Sequence, residues 1–177
     1  MGKKCFVTVG STRFDQFVNT MLSPPVISTL ISLEVDELEI QIGASQLSNE
    51  YPAWWQETEE VVATWQGLQI RLFRYAPSLH ALISSAAMVV GHAGAGTIME
   101  CLREQKPLLV VVNETLADNH QLELAAKLAS LQHVVYCVPS EIKENLEGKN
   151  LWKLIPFSTP DLSRVASYIN RLMGVYY

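Results

Sequence analysis

The sequence of 177 residues has little of several things that mark large classes of proteins. It has three cysteines, Cys5, Cys101 and Cys137. They are scattered and odd in number, without the spacing of a disulfide framework or a metal-ligand set, so a reducing compartment is expected. No apolar run approaches the roughly 20 residues needed to cross a bilayer. The apolar stretch behind Lys3 and Lys4 runs only from Cys5 to Val9, too short for a signal-peptide core. Met1-Gly2 lacks the Ser or Thr of a myristoylation signal, because Phe6 holds that position. The chain is therefore expected to carry no membrane anchor of its own. Basic charge is also scarce: 13 Lys and Arg face 18 Asp and Glu, a formal net charge of −5, and the close basic pair is Lys3–Lys4. That excludes the cationic footprint of non-specific nucleic-acid binding. With 9 Gly, 8 Pro and 49% hydrophobic residues, neither a fibre nor a disordered linker fits. There is no H-E-x-x-H, C-x-x-C or G-x-S-x-G, so zinc, metalloprotease and α/β-hydrolase chemistry have no support.

What the sequence does hold is alternation. Six short apolar runs rich in β-branched residues, Cys5–Gly10, Leu38–Ile42, Leu68–Phe73, Met88–Val90, Leu108–Val112 and Val134–Val138, are separated by segments of helical spacing. Phe14, Phe17, Val18 and Met21 recur at helical intervals, and Leu122, Ala125, Ala126 and Leu128 lie on or near one helical face. Leu162, Val165, Ala166, Ile169 and Leu172 predict an amphipathic C-terminal helix over about 161–173, with Asp161 near its start. Continuous apolar strands such as Leu108–Val112 belong to a parallel sheet covered on both faces. The expected architecture is a single α/β domain with a doubly wound, mostly parallel, Rossmann-like sheet. The stretches from Ala44 to Gly67 and from Glu147 to Pro160 read as irregular.

Ligands of such a sheet sit beyond the carboxyl ends of its strands. Three exits gather polar groups: Gly10-Ser11-Thr12; Gly91-His92-Ala93-Gly94-Ala95-Gly96-Thr97, which leads into a helix holding Glu100; and Asn113-Glu114, followed by Asp118-Asn119-His120-Gln121 at a helix start. Gly91, Gly94 and Gly96 allow positive φ and close approach of backbone amides, and the following helix start favours phosphate. The G-x-x-G-x-G spacing is neither the dinucleotide fingerprint nor a P-loop. A tight turn with close strand–helix packing would use the same glycines. Glu100 could accept hydrogen bonds from a ribose diol or stand as a solvated helix residue. Asn119, His120 and Gln121 offer the donors and acceptors that sugar hydroxyls need, or simply cap the helix. His92 could touch phosphate or polarise a leaving group, and is the candidate catalytic side chain; a structural role is the alternative. His80 and His133 have no convergent partner. Asp36, Glu37 and Glu39 read as a solvated face, and Trp54 and Trp55 as packing in an irregular crossover.

Together, Val90–Glu100 (VGHAGAGTIME), Lys106–Glu114 (KPLLVVVNE), Asn119–Ala125 (NHQLELA) and Phe6–Thr12 (FVTVGST) resemble the catalytic, donor-binding subunits of the two-component UDP-GlcNAc transferases of dolichol-linked oligosaccharide synthesis. Those subunits are similar to the C-terminal half of the GT-B transferase that completes the bacterial peptidoglycan lipid precursor. The resemblance runs over essentially the whole chain and is weak between Ala44 and Gly67. It implies a GT-B C-terminal-type half that adds the second GlcNAc to dolichyl-diphospho-GlcNAc with inversion. Ala93–Thr97 would cradle the diphosphate and Glu100 would bind the ribose. His120 and Gln121 would contact the GlcNAc hydroxyls, with Asn119 orienting them, and Gly10, Ser11 and Thr12 would line the cleft; Asn113 and Glu114 belong to the same rim.

The resemblance further implies that no metal or other cofactor is bound, that the general base lies on a membrane-anchored acceptor-binding partner forming a heterodimer, and that the chain is cytosolic, recruited by that partner to the cytosolic face of the endoplasmic reticulum. The C-terminal amphipathic helix is the candidate docking element, unless it covers its own sheet. The competing readings are a non-catalytic nucleotide-sugar-binding regulatory subunit, a free-standing transferase for a small acceptor, and, last, an NAD-binding module.

Overall fold

The computed structural model describes residues 2–113 and 120–158. Seven strands form one sheet: β1 Lys3–Thr8, β2 Val35–Gln41, β3 Glu60–Trp65, β4 Leu68–Phe73, β5 Met88–His92, β6 Leu108–Val111 and β7 Val135–Cys137. Their order is β3-β4-β2-β1-β5-β6-β7, parallel throughout except for the β3–β4 hairpin. The helices are α1 Asp15–Met21, α2 Pro24–Ser32, the single turn α3 Trp54–Glu57, α4 His80–Ser85, α5 Ala95–Arg103, α6 His120–Ser130 and α7 Ile142–Glu147. The doubly wound, mostly parallel architecture expected from the alternation is the one observed.

The period of two along each strand sorts the core into two layers. Cys5 and Val7 of β1, Val9 just beyond it, Val90 of β5, and Leu109 and Val111 of β6 pack against Phe17, Val18 and Met21 of α1, Val26, Ile27 and Leu30 of α2, and Ile142 and Leu146 of α7. Phe6, Val89, Leu108 and Val110 point the other way. They meet Ile83 of α4, Ile98, Cys101 and Leu102 of α5, and Ala125 and Leu128 of α6. The central strands are apolar on both faces because helices cover both.

Three expectations change. The stretch from Ala44 to Gly67 is not irregular throughout, because it contains β3. Val61 is buried while Glu60 and Val62 are exposed, and the hairpin closes on Gln66 and Gly67, both left-handed at φ 52° and 89°. Two successive positive φ values are what a tight antiparallel hairpin needs. The rest of the crossover lies on the α1/α2 face: Leu47 and Trp55 are buried there, and Tyr51 stacks on Trp55 and donates its hydroxyl to the Leu22 carbonyl at 3.0 Å. Trp54 is exposed, so the tryptophan pair divides between core and surface.

Opposite the α1/α2 side, which that crossover takes, lies the other face of β2 and β4. It carries Glu39, which is only 8% exposed and not a solvated residue. The register sets Glu39 opposite Phe6 and Arg71. One carboxylate oxygen accepts a hydrogen bond from Arg71 at 3.2 Å; the other lies 3.1 Å from the Lys4 ammonium, an ion pair without hydrogen-bond alignment. Arg71 also grips Glu60 at 2.8 Å. Buried carboxylates persist only when paired in this way. The amphipathic segment expected over 161–173 lies outside the described residues.

Candidate functional site

Connections leave β1 and β5, the two central neighbours, toward opposite sides of the sheet, since β2 lies on one side of β1 and β6 on the far side of β5. That reversal opens a crevice at their carboxyl ends. Two of the three polar exits, Gly10–Thr12 and His92–Thr97, meet there, and α6 starts after β6 next door.

The β1 exit is fixed from below. The buried Thr8 hydroxyl donates to Gln41 Oε1 at 2.6 Å and accepts the Gly10 N–H at 2.9 Å. Thr12 donates both its amide and its hydroxyl to the Val9 carbonyl, at 3.3 and 2.7 Å. Gly10 takes φ +64°, and a Cβ on it would stand 2.9 Å from His92 Cε1. Gly43, at φ +53°, lets the β2 exit close on the carbonyls of Gly10 and Thr12. Ser11 and Thr12 are exposed on this rigid turn, facing solvent.

The glycine-rich stretch differs from expectation in two ways. None of Gly91, Gly94 and Gly96 has positive φ; among described residues that conformation falls on Gly10, Gly43 and Gly67, and on four non-glycines. Nor is the stretch all loop, because α5 begins at Ala95, so Ala95, Gly96 and Thr97 are its first turn. The steric requirement falls on Gly94. A Cβ on Gly94, the N-cap, would collide with His92 Nε2 and lie 2.8 Å from Cε1. A Cβ on Gly96 would meet nothing within 4 Å, and Gly91 is in ordinary contact distance of its neighbours. No side chain caps α5. Its first-turn amides and the positive end of its dipole therefore face the crevice, with Ala95 and Gly96 exposed beside them.

His92 is the wedge between the two exits. Its ring is held between Gly10 and Gly94, and Ala93 beside it is fully buried. Burial pushes its pKa down, opposed by the Thr8 backbone, so the ring is neutral at neutral pH. Nδ1 is buried without a hydrogen bond of good geometry.

Glu100 lies on the second turn of α5, partly exposed. His80, which the sequence left without a partner, reaches it across the α4–α5 contact: Nδ1 is 3.9 Å from Glu100 Oε1 and 3.7 Å from Glu104 Oε1. Nothing in the sequence signalled this, because the three residues meet only through helix packing. His133 is structural, donating from Nδ1 to the Ile155 carbonyl at 2.9 Å and lying edge-on to Phe157. Asn113 follows β6 at the rim. Glu114 and Asn119 lie outside the described residues, and of His120 and Gln121 the backbone alone is described, as the first residues of α6. Among the described residues no group of three or more His, Cys, Asp or Glu is placed to share a metal ion, and no helix is long and apolar enough to cross a membrane.

Comparison with known proteins adds to this geometry. Residues 4–169 match the glycosyltransferase family 28 C-terminal domain. The human UDP-N-acetylglucosamine transferase subunit ALG13 is 38% identical over 135 residues, which are 76% of this chain and 11% of that relative, so the chain spans only a small part of the human protein's length. The Eremothecium gossypii protein of the same name is 33% identical over 158 residues, covering 80% of this chain and 77% of its own. An NMR solution structure of ALG13 superposes with a TM-score of 0.66 at 27% identity, covering 93% of this chain and 94% of that one.

Proposed function

From the premise that the chain belongs to the glycosyltransferase family 28 C-terminal domain family, we propose that it is the donor-binding subunit of a UDP-GlcNAc transferase. In this reading it works with a membrane-anchored, acceptor-binding partner that recruits it to the cytosolic face of the endoplasmic reticulum, and it adds the second GlcNAc to dolichyl-diphospho-GlcNAc. The observation that carries the reading is the uncapped first turn of α5, opening at the β1/β5 switch point onto the free space above Gly96.

The donor would lie with its diphosphate on the Ala95–Thr97 amides and its ribose diol on Glu100. Its sugar would lie toward the start of α6, where Asn119, His120 and Gln121 follow the strand next to β5 in the sheet. The acceptor hydroxyl attacks the anomeric carbon from the side opposite UDP. The bond between that carbon and the diphosphate oxygen breaks, and the acceptor proton passes to a base on the partner. Negative charge grows on the departing diphosphate, where the helix dipole and fixed amides already point and need no reorganisation. His92 fits the leaving-group side of this site rather than the base: its ring is walled by Gly10 and Gly94 and lies next to the amides.

The test is transfer of radiolabelled GlcNAc from UDP-GlcNAc to a phytanyl- or dolichyl-diphospho-GlcNAc acceptor, by the chain alone and after co-expression with a candidate anchored partner. Transfer only with the partner supports the reading. UDP binding without transfer in either case favours a regulatory nucleotide-sugar binder, and no UDP binding overturns the donor site. Within an active complex, Glu100→Ala should raise the donor KM at least tenfold, the scale of a lost hydrogen bond to a charged group.

A further inference from the structure

Among the described residues, five polar or charged ones are buried: Thr8, Thr29, Glu39, Gln41 and Ser45. Thr29 bonds to Glu147 at the end of α7 at 3.1 Å, and Glu39 is held by Lys4 and Arg71. The other three all hold one turn, residues 10–14. Ser45 Oγ accepts the Phe14 N–H at 2.9 Å. Thr8 and Gln41, paired at the ends of β1 and β2, form a relay with a fixed direction. Thr8 Oγ1 accepts the Gly10 N–H at 2.9 Å and gives its own proton to Gln41 Oε1 at 2.6 Å.

Packing does not ask for that hydroxyl. Thr8 shares its sheet face with the apolar Phe6, and its methyl lies 3.9 Å from where a Cβ on Gly91 of β5 would stand. Valine would fill the same space with a similar strand preference. Buried polar groups are tolerated only when paired, so this pair brings a burden as well as a bond. What it adds is a definite place for Gly10. That place matters because Gly10 abuts His92: a Cβ there would be 2.9 Å from His92 Cε1, and the same ring walls Gly94, the N-cap of α5. The relay sets Gly10, Gly10 sets the ring, and the ring sets the spacing between the β1 turn and the first amides of α5.

We propose that Thr8 and Gln41 are positioning residues for the leaving group: through Gly10 and His92 they keep the first-turn amides of α5 in line with the diphosphate as its bond to the sugar breaks. The inference rests on the reading that places the diphosphate on Ala95–Thr97. Both side chains are too buried to touch the donor themselves. An amide slightly out of line still binds a ground-state diphosphate, whose charge is spread over several oxygens. It loses its hold on the charge that grows in the transition state, so the effect falls on kcat more than on KM.

The experiment measures kcat and the KM for UDP-GlcNAc of the assembled complex for wild type, Thr8→Val, Thr8→Ser and Gln41→Met, with urea unfolding of each chain. Thr8→Val removes both bonds of the hydroxyl at nearly constant shape; kcat should fall about tenfold while KM changes less than about threefold. Gln41→Met removes the acceptor alone and should lower kcat by less. Thr8→Ser keeps the hydroxyl and should restore kcat. A residue that served stability alone would shift the unfolding midpoint and leave the kcat of the folded protein at its wild-type value. A folded Thr8→Val or Gln41→Met complex with wild-type kcat, or a Thr8→Ser complex as slow as Thr8→Val, overturns the proposal. Amide hydrogen exchange on the wild-type chain serves if the variants do not fold: the Gly10 N–H should exchange at least about tenfold more slowly than that of exposed Ser11, and equal rates overturn the relay. Wild-type transfer with an unimpaired Thr8→Val removes this inference and leaves the proposed function standing. A wild-type complex with no transfer overturns the proposed function itself.

Discussion

Gly94→Ala tests the packing of the site directly. The backbone at Gly94, φ −76° and ψ 124°, suits any residue, so an alanine there meets no conformational penalty. The obstacle is His92. A Cβ on Gly94 would collide with Nε2 and lie 2.8 Å from Cε1, where ordinary contact begins at 3.4 Å, so the ring has to retreat by at least about 0.6 Å. It has little room, since Gly10 stands on its other side, close enough that a Cβ there would be 2.9 Å from Cε1. Overpacking of this kind costs about 1–3 kcal/mol. For a chain of this size each kcal/mol lowers Tm by about 2–4 °C. Urea unfolding of four proteins (wild type, Gly94→Ala, His92→Ala and the double variant) closes the cycle. With the imidazole gone the added methyl has nothing to strike, so Gly94→Ala should cost at least about 1 kcal/mol less in the His92→Ala background, the coupling expected of residues in contact. An equal cost in both backgrounds refutes the wedge.

Gly96→Ala should do the opposite. Its methyl meets nothing within 4 Å and replaces glycine in the first turn of α5, so stability should rise by about 0.4–1 kcal/mol while UDP binding weakens, because the methyl projects into the proposed diphosphate cradle; unchanged UDP affinity would place the phosphate elsewhere. His92 makes stability depend on pH. Its folded pKa lies below the ordinary 6.5, so on acidification the unfolded chain takes up the proton first. Stability should be level above about pH 6.5 and fall as the pH drops toward the lowered folded value, and urea unfolding at pH 7.5 and 5.5 should show that fall reduced in His92→Gln. A wild type that gains stability on acidification would mean a charged, paired ring. Burial pushes Cys5, Cys101 and Cys137 up to about 12, so at pH 8 a thiol reagent should find none of them in the native protein and all three in denaturant. Rapid native labelling would show that a helix or strand end opens readily.

The elements legible in the sequence are those whose pattern depends on nothing distant. The apolar run from Leu108 to Val111 announces a strand buried on both faces, and the alternation of Leu38, Ile40 and Ile42 with polar residues announces one apolar face. β3 was legible too: Val61, Ala63 and Trp65 alternate with outward residues and end on Gln66-Gly67, a hairpin signal masked by the tryptophans around it. What the sequence could not carry is anything that two elements make together. Glu39 is buried because β1 and β4 bring Lys4 and Arg71 to it from 35 and 32 residues away. His80 acquires Glu100 and Glu104 only when α4 packs on α5. The exits of β1 and β5 could be marked as candidate site loops from their polar residues, but which glycine does what depends on the ring of His92, whose position follows from the β1–β5 register.

The same register bears on the second unit that the proposed function calls for. The crevice has a wall made of the β1 turn and the start of α5, and that wall is stiff: Thr8 and Gln41 brace it, Gly43 closes on it, and His92 fills the gap between its two parts. On its open side stand Ser11, Thr12, Ala95 and Gly96, all exposed. Where water reaches a diphosphate bound there, the helix dipole is screened and its hold on growing charge is small. In the proposed function, covering that side with an acceptor-binding partner would lower the local dielectric, strengthen the same amides without moving them, and bring the partner's base to the acceptor hydroxyl. On this argument the partner should tighten the donor as well as supply the acceptor site, so donor affinity measured with and without it, on an otherwise unchanged chain, separates a subunit whose site is finished by assembly from one that is complete beforehand.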